Sequence, residues 1–271
     1  VIAAASVSML LAATAWAQYQ REPWWNWRRV PPRMATAESF DGAYNFCRIM
    51  FRSVRREDGG QGWWTDYPDA DQNFSIRLSE LTKTRISLSE SGEPNHLVVR
   101  LTDPWLYQCP FAIIEDAGTA RFTDLERDRL RAYLLKGGFL WVDDFWGTYA
   151  WENWTELLAT VLPPADYPIR DVTPDHPIFR TLFEVRRLPQ IPSIQFWRRS
   201  GGLTSERGPD STVPTMRAVY DRADRMMVLM THNTDIADAW EREGQDPSFF
   251  YEFSVDGYAV GINVMMYAMT H

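Results

Sequence analysis

The chain has few of the residues that usually announce an activity. Its 271 residues include two cysteines and four histidines. Two cysteines, Cys47 and Cys109, are too few for a disulfide scaffold. One bridge stays open to them in an oxidising compartment, and the simpler reading is a pair of buried thiols. Cationic side chains are in deficit, with 28 Lys and Arg against 36 Asp and Glu, a net charge of −8. That balance argues against nucleic acid or an anionic membrane as the main partner. There is no internal repeat, so a repeat architecture is excluded. The apolar C-terminal stretch GYAVGINVMMYAMTH is too short to cross a bilayer and reads as a buried helix.

A charge-free stretch opens the chain: VIAAASVSMLLAATAWA, residues 1–17, closing on Ala15-Trp16-Ala17. It sits at the bottom of the spanning range. Its small-x-small ending reads instead as the cleavage site of a secretory signal that is truncated at its start. The expectation is an exported protein, periplasmic or extracellular, with a mature chain beginning at Gln18 and no transmembrane span. Residues 18–43 lack periodicity and carry REPWWNWRRVPPR, an extended Trp/Pro-rich arm laid over the domain surface.

What remains, 44–271, is enough for one α/β domain, and a hydrophobic content of 45% can fill its core. The segment Tyr44–Arg56 alternates as a strand. Asp71 is placed to cap a helix whose apolar face is Phe74, Leu78 and Leu81. HLVVRL (His96 to Leu101) and FAIIED (Phe111 to Asp116) are further strands. Thr123 and Glu126 form a capping box for a helix with Leu130, Tyr133 and Leu134 on one face, ended by Gly137. GFLWVDD follows as a buried strand, then a helix over Ala150 to Leu162. Residues 163–214 are proline-rich and read as an irregular, packed excursion. Strand MMVLM (Met226 to Met230) restores the core pattern. Strands alternating with helices predict a mostly parallel sheet with helices on both faces, a three-layer flavodoxin-like α/β fold.

In such sheets ligands bind outside the carboxyl ends of the strands. Four loops fall on that edge. The first carries Trp63, Trp64, Asp66 and Tyr67, together with Thr65, Asp69 and Asp71. The others carry Glu115 and Asp116, then Asp143, Asp144 and Trp146, then Thr231, His232, Asn233 and Asp235. Hard oxygen ligands of this kind, above all Asp66, Asp143, Asp144 and Asp235, suit Ca²⁺, Mg²⁺ or Mn²⁺. Paired carboxylates with separated pKa values suit acid–base hydrolysis of a glycoside or related polar substrate. Acids beside indole rings also suit unreactive binding of a saccharide-like ligand. In a reactive site Asp143 or Asp144 would be a ligand or general base, and His232 a ligand or proton shuttle. A reading from another class is a non-catalytic envelope module, docking a protein partner through Trp24, Trp25 and Trp27 and the 163–214 region. Of the 13 tryptophans, Trp141, Trp151 and Trp154 sit inside elements and read as core.

The strings GGQGWWTDYPDADQNFSIRLSELTKT, LYQCPFAIIEDAG, YLLKGGFLWVDDFWG, DVTPDHPIFRTLF, IPSIQFWRRSGG and VLMTHNTDIADAWEREG resemble the exported bacterial domain-of-unknown-function 4159 family. The likeness runs from about Phe40 to His271. It implies a fold similar to class I glutamine amidotransferases and to trehalose-utilisation (ThuA-like) proteins, and it implies no particular reaction. Amidotransferases carry a Gly-x-Cys-x-Gly elbow after the corresponding strand. Here Asp143 matches the first glycine, Phe145 the nucleophilic cysteine and Gly147 the second glycine. A phenylalanine cannot attack a carbonyl, so glutamine amidotransfer is disfavoured.

Overall fold

A computed structural model of the chain describes residues 30–57 and 59–271. The 1–17 leader and the part of the arm with Trp24, Trp25 and Trp27 lie outside the described residues. Arg33–His271 packs as one unit.

Short apolar runs build the sheet. Phe46–Met50 (β1) leads into Arg52–Ser53 (β2), which pairs with Ala120–Arg121 (β5) in a small separate ribbon. His96–Arg100 (β3), Phe111–Ile114 (β4) and Phe139–Phe145 (β6) come next, and Met226–His232 (β9) lies much later. These strands are almost wholly buried, as parallel strands covered on both faces must be. Their order is β3-β1-β4-β6-β9 with each neighbouring pair parallel. Beyond β9 the seven-stranded sheet continues with Thr215–Tyr220 (β8) and Ile169–Asp171 (β7), both running antiparallel to their neighbours. These two strands depart from the expected irregular excursion. Arg217 interrupts the apolar pattern of β8, and only its hairpin with β9, closed by Asp221 accepting from Ala223 N and Arg225 N, makes it a strand.

Strand alternation divides the core in two. Ala112, Ile114, Leu140, Val142, Val228 and Met230 pack with Leu130, Leu134, Trp154 and Leu158. Phe111, Ile113, Phe139, Trp141 and Leu229 pack on the other side with Phe74, Leu78, Ile262 and Val264. The helices involved are α1 (Asp69–Thr82), α2 (Asp124–Leu135), α3 (Gly147–Val161) and a later helix over Val255–Thr270. The α2 capping box forms as the sequence requires: Thr123 Oγ1 accepts from Glu126 N, and Glu126 accepts from Thr123 N.

Four local expectations are corrected. Asp71 lies inside α1, not at its cap, because its carboxylate is drawn into the core by Arg48. Leu81 is 48% exposed, since the last turn of α1 runs past the core. Helix α3 starts at Gly147, three residues early, because acceptors distant in sequence hold its first amides: Asn233 Oδ1 takes Gly147 N and Asp210 takes Thr148 N. Cys47 and Cys109 are joined in a disulfide, in place of the pair of thiols. Cys47 lies in β1 and Cys109 just before its parallel neighbour β4, and their Cα atoms lie 6.0 Å apart. Arg33–Ala35, near the end of the arm, lie along the free edge of β3, where Ala35 N donates to Val98 O and Val98 N to Arg33 O.

Candidate functional site

At or beyond the carboxyl ends of β1, β4, β6 and β9 the chain places a non-glycine residue in the left-handed region: Asp66 (φ 61°), Asp116 (φ 50°), Asp144 (φ 48°) and Asn233 (φ 62°). Asp and Asn tolerate this conformation best, yet each instance costs on the order of 1 kcal/mol. Hydrogen bonds hold these turns. Asp116 Oδ2 accepts from Gly62 N at 2.6 Å, Asp144 Oδ1 from Trp146 Nε1 at 2.9 Å, and Asn233 N donates to Phe145 O at 3.0 Å. The β6–β9 register also shifts between Val142 and Phe145. An irregularity of this kind re-aims side chains at a strand end. Asp143 and Asp144, adjacent in sequence, therefore have different surroundings.

Asp143 faces inward, and its oxygens are used by the protein itself. Oδ1 accepts from Thr231 Oγ1, while Oδ2 accepts from Ile236 N (2.8 Å) and Ala237 N (3.1 Å). It thus anchors the turn that carries Asp235 and Asp238. Asp144 lines a small, partly open recess, together with Asp116, Trp146, Glu206, Arg207 and Asp235. Deeper in, Asp66, Asp235 and Asp238 each bring a carboxylate oxygen within 4.8 Å of the other two. Glu115 is fully buried and neither of its oxygens has a hydrogen-bond partner. Its nearest cation is Arg48, with Nη2 3.9 Å from Oε1.

So many acids in so little water cannot all stay ionised. Burial pushes the Asp66 carboxyl up to about 8, and the nearby Glu241 charge adds to this. Burial likewise raises Asp238 to about 8, helped by Asp66, and raises Asp143 and Asp116 to about 7. Glu115, Asp144 and Asp235 lie well above the ordinary carboxylate range, from burial first and from neighbouring acids second. Groups with a raised pKa in the fold bind protons more tightly folded than unfolded, so their contribution to stability is lost as pH rises through 7 and 8. His232 acts oppositely between about 4 and its ordinary 6.5, but it is one group against many. In the presence of chelator, the melting temperature should therefore be higher near pH 5 than near pH 8 (about three pH units). A melting temperature that climbs over that interval would show these carboxylates to be stably ionised.

The remaining expected site residues sit elsewhere. His232 Nε2 donates to Gly147 O at 3.0 Å, and its ring packs against Phe145 and Trp151. Burial lowers its pKa to about 4, so it is neutral at pH 7 and turned away from the acids. Trp63, Trp64 and Tyr67 stack on one another, with Trp63 and Trp64 ring centroids 4.2 Å apart, and the Tyr67 ring meets His96. They brace the Asp66 loop and are not among the residues lining the recess. Asn233 works as a brace too, taking Gly147 N and donating to Val213 O. Phe145, at the elbow position, is fully buried. The sequence reading missed Asp238, Glu206 and Glu57. For Asp238 a signal existed, since Asp235-x-x-Asp238 places both acids on one face of a helical turn. Glu57, which also lines the recess, and Glu206 come from separate loops, and Arg207 pairs with both.

A family model described as Domain of unknown function (DUF4159) matches residues 51–269. The chain belongs to that family. Each of the four site loops falls within the matched span, as does the Asp210 cap on α3. No curated protein matches the chain.

Proposed function

We propose that this DUF4159 protein binds a small, polyhydroxylated, saccharide-like ligand in the recess at the carboxyl edge of its sheet. The observation that carries this reading is the recess lining: Asp116, Asp144, Glu206 and Asp235 beside the Trp146 indole, with Arg207 as the cation. Acids that accept or share hydroxyl protons, next to an aromatic face, suit a sugar. Asp144, whose carboxyl burial and then Asp66 push well above the ordinary carboxylate range, would act as the proton donor to a leaving oxygen if the site hydrolyses its ligand. That role differs from the ligand or general base that the residue pattern suggested for Asp143 or Asp144.

The order β3-β1-β4-β6-β9 supports reading the fold as flavodoxin-like and akin to class I glutamine amidotransferases. The disulfide and the charge-free leader support export to the periplasm or beyond. The docking-module reading has less support. In the 163–214 region Ile178, Phe179, Leu188, Ile191 and Ile194 turn inward, while Leu182, Leu203 and Val213 are exposed.

A thermal-shift screen of the full chain against mono- and disaccharides tests the proposal. At least one sugar class should raise the melting temperature. Asp144→Asn should weaken that sugar's binding by about tenfold or more while leaving the ligand-free protein at least as stable, because the amide removes a crowded acid. A flat response across the panel would overturn the ligand reading, and an unfolded Asp144→Asn would mark the acid as structural.

A further inference from the structure

Several acids at this edge exceed what the protein's own donors can serve. Arg48 is engaged by Asp71, and Arg242 by Asp238 and Glu241. Asp238 also takes Ile194 N on Oδ2, and Asp235 Oδ1 takes Asp238 N, so the two are locked in place by the 235–238 turn. Asp66 enters from a different loop. It is 6% exposed, its Oδ2 is buried, and no hydrogen-bond donor reaches that oxygen. The side chains that bear on it include the carboxyls of Asp235 and Glu241. An oxygen in that setting requires either a shared proton or a cation.

From this convergence we infer that Asp66, Asp235 and Asp238 form a binding site for a hard divalent cation of the Ca²⁺, Mg²⁺ or Mn²⁺ class. Three observations fit it. The oxygens lie within 4.8 Å of one another, no farther than two ligands on opposite sides of a calcium ion at about 2.4 Å each. The donors are all carboxylates, the chemistry that such ions prefer over softer metals. Asp235 both lines the recess and belongs to the triad, so water or a ligand hydroxyl can complete the coordination from the open side. Asp143 takes no part as a ligand. It is a positioning residue, holding the turn that carries two of the three donors through Ile236 N and Ala237 N. The pattern that pointed to Asp143 and Asp144 as ligands thus gives way to Asp238.

This inference goes beyond the saccharide reading and stands without it. The test is titration of the chelator-treated full chain with CaCl₂, MgCl₂ and MnCl₂, followed by calorimetry and by thermal melting. One of the ions should bind at one per chain and raise the melting temperature by about 5 °C or more at roughly 100-fold excess over its Kd. Asp66→Asn and Asp238→Asn should each weaken that ion by about tenfold or more, as loss of one charged ligand does. Asp224→Asn, on the distant β8–β9 hairpin, should bind as wild type. No heat and no shift with any of the three ions would overturn the inference and leave shared protons as the occupant. Undiminished binding by folded Asp66→Asn would overturn it too. Should either variant fail to fold, the wild-type titration still decides. Ion binding without any sugar response sinks the saccharide reading alone, and sugar binding indifferent to chelator with no ion bound sinks this one alone.

Discussion

Replacing Arg48 by methionine should destabilise the protein by about 3–5 kcal/mol, the usual cost of leaving a buried charge without its partner. Arg48 sits in the middle of β1 and is fully buried. Its Nε lies 3.2 Å from both Asp71 oxygens, and Nη2 is 2.5 Å from Oδ1. Nη1 donates to Thr65 O at 2.7 Å. The side chain therefore does two jobs: it neutralises Asp71, and it fastens the loop that presents Asp66. Methionine keeps the packing volume and loses both. The double variant Arg48→Met/Asp71→Leu separates them, because replacing a whole buried ion pair by apolar groups is often close to neutral. We expect the double variant to recover most of the lost stability in denaturant titration, yet to remain impaired in cation binding, since Thr65 O still lacks its donor. A single variant that unfolds as late as wild type would show the pair to contribute nothing. A double variant no better than the single would move the critical partner from Asp71 to Glu115.

Arg48 also shows where sequence reading stops. The parallel core was legible because FAII, FLWV and MMVLM are buried on both faces and carry that fact in their composition. The α2 capping box was legible because all its atoms lie within four residues. The pair Arg48–Asp71 spans 23 positions, and a local pattern made Asp71 a helix cap. His232 illustrates a different limit. Its position at the end of β9 is correct for the rim, but strand alternation puts it on the face of Val228 and Met230, toward Phe145 and Trp151. Thr231, one residue earlier, is on the other face and meets Asp143. Position along a strand was readable, whereas side-chain direction at its frayed, irregular end was not. The three-carboxylate cluster needed both Asp66, from the β1 loop, and a helical turn after β9, and no window of sequence contains the two.

Loss of the Cys47–Cys109 bridge should be as costly as loss of Arg48, by a separate mechanism. The two cysteines are 62 residues apart, and the loop they close contains β2, α1 and β3, with the Asp66 turn. In the chain-entropy account, cross-linking a loop of that length removes about 4 kcal/mol of disorder from the unfolded chain. Cys47→Ala/Cys109→Ala should thus lower the unfolding free energy by about 4 kcal/mol, within an ordinary range of roughly 2–5. Both sulfurs belong to buried residues, so reductant added to the native protein reaches them only through opening. The informative comparison starts from the unfolded state: wild type refolded with reductant should match the double variant, and wild type refolded without it should not. Because the effect lies in the unfolded chain, the folded site should survive, and the oxidised and variant proteins should bind the same cation with similar affinity well below their melting temperatures. Two free thiols titrated in denatured, unreduced protein would refute the bridge. Equal stability with and without reductant would show that its loop was already held together by the sheet, since β1 and β3 pair directly across it.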